Sequence, residues 1–197
     1  MTLGGSAIRE LLERHAIAPS RALGQNFVTD PNTIERIVRI ADIGPGDHVV
    51  EVGPGVGSLT VGLVEHGATV VAVELDQHLL APLREVLAGV PGGEAVEVVH
   101  GDAQRIDWDE FFAGREPGPW KLVANLPYNV AAPVVLRALD EAPAISEILV
   151  LVQREVAERL AAGPGSAAYG IPSVKVSYWG AASLAGRVPA AVFHPVP

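Results

Sequence analysis

The sequence predicts an α/β fold, a doubly wound, Rossmann-like parallel sheet preceded by N-terminal helices. Three observations carry that prediction. Between residues 48 and 161, short apolar segments alternate with amphipathic ones, which is the mark of strand–helix–strand units. The strand segments are flush with Val, Ile and Leu, as suits a sheet covered on both faces. A glycine-rich loop, Gly53-Pro54-Gly55-Val56-Gly57, joins the first of these strands to a helix, where such sheets bring backbone close to a ligand.

Taken in order, a helix is expected over residues 6–15, with Leu11 and Leu12 on its apolar side, and residues 19–25 form a connector. Asp30 N-caps a second helix with Pro31 at its first position, since proline has no N–H to leave unpaired there. Ile34, Ile37, Val38 and Ala41 then recur at helical spacing. Gly44-Pro45-Gly46-Asp47 is a turn. A strand over 48–52 leads to a helix over 58–66 ended by Gly67. A strand over 69–74 leads to a helix over 77–88 closed by Gly89. Strands over 95–99 and 121–125, a helix near 132–139, a strand over 145–152 and a helix to about residue 161 follow. Residues 163–170 read as a flexible loop. Residues 171–179 are ambiguous: Val174, Val176 and Tyr178 alternate like a strand, while Pro172 and Ser173 could open a helix.

With 197 residues, 49% hydrophobic and 19% charged, the chain has enough for one domain with a full core. The absence of cysteine excludes a disulfide framework and a cysteine metal site. The six histidines (His15, His48, His66, His78, His100, His194) show no ligand spacing, so no metal is expected. No signal peptide or membrane span is legible, so a soluble cytoplasmic protein is expected. The net charge of -9 argues against broad nonspecific nucleic-acid binding. It leaves room for a local basic face, because Arg9, Arg14, Arg21, Arg154, Arg159, Lys175 and Arg187 fall in the two end regions; solvated helix faces are the plainer alternative. Trp108, Trp120 and Trp179 read as packing residues.

The glycine loop and Glu74, 21 residues after Gly53 and at the end of the next strand, form a nucleotide-type signature. Glycines let backbone approach a ligand, and a carboxylate at that strand end can accept both hydroxyls of a ribose. The alternative is an ordinary strand–helix turn. A dinucleotide site wants G-x-G-x-x-G, with a helix N-terminus facing a pyrophosphate. Here the spacing is G-x-G-x-G, closer to S-adenosylmethionine (SAM) sites, where no pyrophosphate is held. Asp102, in Gly101-Asp102-Ala103 after the third strand, can accept from an adenine amino group or serve as a helix N-cap.

Asn125-Leu126-Pro127-Tyr128 ends the fourth strand, at the edge where ligands sit. The Asn125 side-chain oxygen and the Leu126 carbonyl can accept the two hydrogens of an amine. Pro127 stiffens the turn, and Tyr128 offers a face for stacking a base. The alternative is a loop with an Asn turn and a core tyrosine. With the glycine loop, this points to methyl transfer onto an amino nitrogen of a base. No general base is evident; positioning and desolvation can carry transfer from a sulfonium.

These residues together resemble the ribosomal RNA adenine dimethyltransferases, in particular the bacterial small-subunit type. The resemblance covers residues 23–197. Leu23-Gly24-Gln25-Asn26-Phe27, residues 51–60, Val73-Glu74-Leu75-Asp76, Gly101-Asp102-Ala103, Asn125-Leu126-Pro127-Tyr128, residues 153–159 and Val192-Phe193-His194-Pro195-Val196-Pro197 stand in family order. The resemblance implies two successive methylations on N6 of each of two adjacent adenosines near the 3′ end of 16S rRNA, within the small ribosomal subunit. It implies SAM contacts from Asn26, the backbone at Val28, Gly53, Glu74, Asp102 and Asn125, with Gly55 and Ala103 in the same loops. The catalytic set is Asn125, Leu126, Pro127, Tyr128 and Phe193, with the target base flipped out and held between Tyr128 and Phe193. Val28 stands where the family usually has Leu, a small change at a backbone contact.

The larger departure is the end of the chain. Family members continue into a final sheet strand and a small helical C-terminal domain, and this chain stops at Pro197. The expectation is therefore a SAM-dependent methyltransferase catalytic domain over 1–197, with a helical extension over 1–45, truncated before the C-terminal domain. By analogy, residues 171–179 become a helix and 182–188 the last strand present. A monomer with no membrane association is expected. The competing readings are a noncatalytic small-subunit assembly factor that binds SAM, a methyltransferase on another amino or amide substrate, and a nicotinamide dehydrogenase, which the loop spacing disfavours.

Overall fold

The apolar segments read as strands pair as one parallel sheet. The structure, a computed structural model, describes residues 3–20 and 22–197. Met1, Thr2 and Arg21, the last counted among the terminal basic residues, lie outside the described residues. In chain order come α1 (Gly5–Arg14), β1 (Phe27–Val28), α2 (Pro31–Ile40), β2 (His48–Val52), α3 (Ser58–Glu65), β3 (Thr69–Glu74), α4 (Leu80–Ala88), β4 (Glu97–His100), α5 (Trp108–Phe112), β5 (Trp120–Asn125), α6 (Tyr128–Glu141), β6 (Ile145–Leu151), α7 (Arg154–Leu160), α8 (Ile171–Trp179) and β7 (Phe193–His194). The five-stranded sheet has the order β4-β3-β2-β5-β6 and is parallel throughout.

The pleat divides the strand residues between two cores. Val50, Val52, Val71, Val73, Leu122 and Ala124 face α5, α6, α7 and α8. Val49, Val70, Ala72 and Val123 face α2 and α3. Burial on both faces is the physical reason for the continuous apolar runs. A third, smaller cluster packs Ile8, Leu11 and Leu12 of α1 against Phe27, Val56 and Leu79. The cap predicted at Asp30 forms: its carboxylate accepts from the Thr33 N–H at 3.0 Å and the Thr33 hydroxyl at 2.6 Å.

Several elements depart from the sequence expectation. Residues 182–188 form no strand; the Arg187 carbonyl instead accepts from Arg36 Nη1 at 2.9 Å. A segment takes strand form only where a neighbour offers a ladder, and β6 pairs with β5 alone. Residues 171–179 resolve as the helix α8. The helix expected near residue 132 starts at Tyr128, because Pro127 caps it and its carbonyl accepts from Val130 and Ala131. Pro133 sits inside that helix, although proline ordinarily marks a first turn. Trp108 and Trp120 are core residues, but Trp179 is half exposed, its indole N–H donating to Asp140 at 2.8 Å. Three elements had no forecast: α5, capped by Asp107, and the strands β1 and β7, whose antiparallel pairing sets Val28 opposite Phe193.

Candidate functional site

Chain direction across the sheet reverses at β2 and β5, since β2 leads outward to β3 and β4 while β5 leads to β6 on the other side. Open α/β sheets bind ligands outside the carboxyl ends of strands at such a switch point. The register between the two strands ends at Val50↔Leu122, though β2 runs to Val52 and β5 to Asn125. A cavity of about 780 Å³ opens there, within the usual range for small-molecule sites. All the residues singled out by sequence line it: Asn26, Val28, Gly53, Gly55, Glu74, Asp102, Ala103, Asn125, Leu126, Pro127, Tyr128 and Phe193.

The strand order fixes the order of groups along the cavity wall: Asp102 beyond β4, Glu74 ending β3, the glycine loop after β2, and Asn125 ending β5. Glu74 is 5% exposed. One of its oxygens accepts from the Gly55 N–H at 3.0 Å and the other from the Asp76 N–H at 2.8 Å. Burial pushes its pKa up, and those backbone donors pull it back. Each oxygen keeps a lone pair, so the carboxylate can still accept from a pair of hydroxyls. Gly55 has φ +60°, and a Cβ there would stand 2.8 Å from the Phe27 ring. Only glycine lets the loop and the N-terminal segment pack this closely.

That N-terminal segment is strapped across the site. Gln25 donates to Asp76 Oδ2 at 2.7 Å and accepts from the Ser20 N–H at 2.8 Å. The Asn26 side chain donates to the Gly24 carbonyl at 3.1 Å. Gly24, at φ +63°, lies where a Cβ would fall 2.5 Å from Pro127 Cβ, so it seats directly on the turn after β5.

Asn125 is oriented by the same strap. Its Nδ2 donates to the Asn26 carbonyl at 2.9 Å. Because the amide has one donor end and one acceptor end, this bond leaves Oδ1 as the end available to a ligand. The Leu126 N–H donates to the Leu151 carbonyl at 3.0 Å, fixing the turn against β6. Tyr128 begins α6 at the rim and is 61% exposed, which excludes the core-tyrosine alternative. Phe193 is half buried on β7 and lines the same cavity. No helix starts at Asp102, so the N-cap alternative does not hold: its Oδ1 accepts from the Gln104 N–H at 2.9 Å in a turn, and the residue lines the cavity. Ala103 is buried beside it.

The terminal basic residues do not act as one free face. Arg14 pairs with Glu85 at 2.8 Å, Arg154 with Glu158 at 2.6 Å, and Lys175 with Asp140. Arg154 and Arg187 nevertheless line the cavity.

Sequence reasoning missed Gln25 and Glu51. Glu51 is the one acid in the apolar segment His-Val-Val-Glu-Val, and that interruption was the available signal. It is 1% exposed, and burial raises its pKa to about 8. The nearby Thr60 hydroxyl lowers it somewhat without reaching hydrogen-bond geometry, and the Glu74 charge raises it further. In the unfolded chain the carboxyl titrates near its ordinary value of 4.5. Between these values the folded state holds the extra proton, so stability is fully present below about pH 4.5 and falls as pH rises through about 8. Denaturant melts from pH 5 to 8 should show this decline, at up to about 1.4 kcal/mol per pH unit. Glu51→Gln should flatten it; an unchanged slope in that variant would remove Glu51 as its source.

The Ribosomal RNA adenine dimethylase family profile matches residues 19–197. The chain is 52% identical, over 99% of its length, to a Ribosomal RNA small subunit methyltransferase A from Corynebacterium efficiens, of which it covers 67%. Among solved structures, a 23S rRNA methyltransferase, ErmE, is 31% identical at a TM-score of 0.71, over 87% of this chain and 65% of that one. A dimethyladenosine transferase from Plasmodium falciparum is 25% identical at a TM-score of 0.70, over 85% of this chain and 58% of that one. The chain thus spans between 58% and 67% of the length of these relatives.

Proposed function

This chain belongs to the ribosomal RNA adenine dimethylase family, and on that premise we propose that it dimethylates N6 of two adjacent adenosines near the 3′ end of 16S rRNA, using S-adenosylmethionine. The observation that carries the proposal is the orientation of Asn125. Its amide nitrogen donates to the Asn26 carbonyl, which leaves Oδ1 to accept from an amine in the cavity that Asn125 lines.

The cavity's chemistry fits the cofactor. Its volume suits a nucleoside carrying an amino-acid chain, and Gly53 and Gly55 bring backbone without side chains to its wall. Asp102 would accept from the adenine amino group, Glu74 from the ribose hydroxyls, and the segment from Asn26 to Val28 would cover the remainder, with Gly53, Gly55 and Ala103 giving close backbone. When bound, the cofactor supplies an electrophilic methyl group. Asn125 Oδ1 and the Leu126 carbonyl would accept the two hydrogens of the target amine and turn its lone pair toward that methyl. As nitrogen gains positive charge, these acceptors bind it more strongly, which is transition-state stabilisation. Pro127 holds the turn rigid. Tyr128 and Phe193 would stack on the two faces of an extruded adenine, about 1–3 kcal/mol per stacked base. The nitrogen's proton can pass to solvent after transfer.

The proposal takes residues 1–197 as a catalytic domain, with 1–45 as its helical extension, acting as a monomer in the cytoplasm. No helix among the described residues is long and apolar enough to cross a membrane. The likeness to ErmE favours one second reading, an adenine of 23S rRNA as target. Methyl transfer from labelled cofactor to small and large subunits lacking adenine methylation separates the two. Label in 16S rRNA alone is the expected result, and label in 23S rRNA alone would transfer the proposal to the second reading.

A further inference from the structure

The loop between β4 and α5, residues 101–107, carries Asp102 into the cavity wall but lies outside strand and helix. Within it, Asp102 Oδ1 accepts from the Gln104 N–H at 2.9 Å, and the Asp102 carbonyl accepts from the Arg105 N–H at 2.8 Å. The Arg105 side chain stands 3.5 Å from Asp102 Oδ2 but is 86% exposed, and an exposed ion pair fixes little. The firm tie comes from α6. Arg137 Nη1 donates to the Gln104 carbonyl, and Nη2 donates to the Ile106 carbonyl at 2.6 Å. Among the described residues no backbone N–H donates to either carbonyl. Arg137 Nε donates to Glu141 Oε2 at 2.7 Å, one turn further along α6, which sets the plane of the guanidinium. The helix is a rigid base, since its Ala131, Val134, Val135 and Ala138 are buried in the core under the sheet.

Resting on the proposed cofactor assignment, we infer that Arg137 is a positioning residue: it holds the loop that aims the Asp102 carboxylate at the cofactor's 6-amino group. The preference for adenine then depends on a side chain that does not itself line the cavity. The tie runs through two bonds, from the guanidinium to the Gln104 carbonyl and from the Gln104 N–H to Asp102 Oδ1. A planar fork can hold two carbonyls at once, whereas an ammonium is a point donor. Without the fork, both carbonyls turn to water and the loop gains freedom, so the carboxylate spends part of its time away from the amino group. The loss falls mainly on ligands that carry that amino group.

The test is calorimetry of S-adenosylhomocysteine and of its purine analogue, in which hydrogen replaces the 6-amino group. Both ligands are measured on wild-type protein, Arg137→Ala and Arg137→Lys. Wild-type protein is expected to prefer S-adenosylhomocysteine by about 10- to 100-fold, the usual contribution of a hydrogen bond to a charged acceptor. In Arg137→Ala the preference should fall to about threefold or less, with affinity for the analogue changed by less than about threefold. Arg137→Lys keeps the charge and the aliphatic stem but cannot span both carbonyls, so it should also lose most of the preference; it decides the matter if the alanine variant fails to fold. A role confined to stability would lower the melting temperature of the variants and leave the preference at its wild-type value. That result overturns the inference while leaving the cofactor assignment intact. Wild-type protein binding both ligands equally removes Asp102 from the adenine subsite and the inference with it. If wild-type protein binds neither ligand, the cofactor assignment fails as well.

Discussion

Asn125→Ala should bind the cofactor nearly as well as the wild type and transfer methyl groups about 10²- to 10³-fold more slowly, the usual cost of removing one aligned polar group from a transition state. The substitution deletes the Oδ1 acceptor of this cavity-lining residue and also the Nδ2 bond to the Asn26 carbonyl. Asn125→Asp separates the two losses. It keeps an acceptor but sets a carboxylate against the Asn26 carbonyl, so the strap loosens and the acceptor swings away. Both variants should therefore be slow, with the aspartate also weakening cofactor binding. Single-turnover transfer measured beside cofactor calorimetry checks this. Near-normal turnover in Asn125→Ala would mean that the amine is oriented by other groups.

Glu74→Ala should weaken cofactor binding by about 10²-fold or more, since hydrogen bonds to a charged group are each worth about 1.5–3 kcal/mol. The carboxylate does two things at once. It accepts from the Gly55 and Asp76 N–H groups, which shapes the glycine loop and the turn after β3, and it presents its remaining lone pairs to the cavity. Alanine leaves both N–H groups without this acceptor. Glu74→Gln keeps the shape of the side chain but exchanges one acceptor for a donor, and should fall between wild type and alanine. Calorimetry with S-adenosylhomocysteine measures the loss. Wild-type affinity in the alanine variant would remove Glu74 from the binding site.

The parts of the fold that were legible in the sequence are those encoded locally. The apolar strands β2, β3, β5 and β6, the glycine loop after β2 and the Asp30 cap each carry their signal within a few residues, and each forms as expected. Pairing across long separations is not written that way. The two-residue strands β1 and β7 lie at opposite ends of the chain, and neither is long enough to show a period. Their pairing brings Phe193 to the cavity, so the position of a predicted site residue depended on a contact that the pattern did not reveal. Residues 182–188 show the reverse case. A strand expected by family resemblance does not form, because strand content alone supplies no hydrogen-bonding partner. At the site, the chemistry of Asn125 and Glu74 was readable from residue type and spacing. The direction of the Asn125 amide was not, since it depends on a backbone carbonyl 99 residues away. Glu51 escaped for a similar reason: its charge state follows from burial and from Glu74 on the neighbouring strand.

The central claim is that this cavity delivers methyl groups to the exocyclic nitrogen of adenine. It is tested most directly by incubating the protein with labelled S-adenosylmethionine and unmodified small ribosomal subunits, then identifying the labelled nucleosides by mass spectrometry. The predicted result is N6,N6-dimethyladenosine at two adjacent positions near the 3′ end of 16S rRNA, with Asn125→Ala yielding little of it. Label in another nucleoside or in ribosomal protein, with cofactor bound and consumed, would contradict the claim.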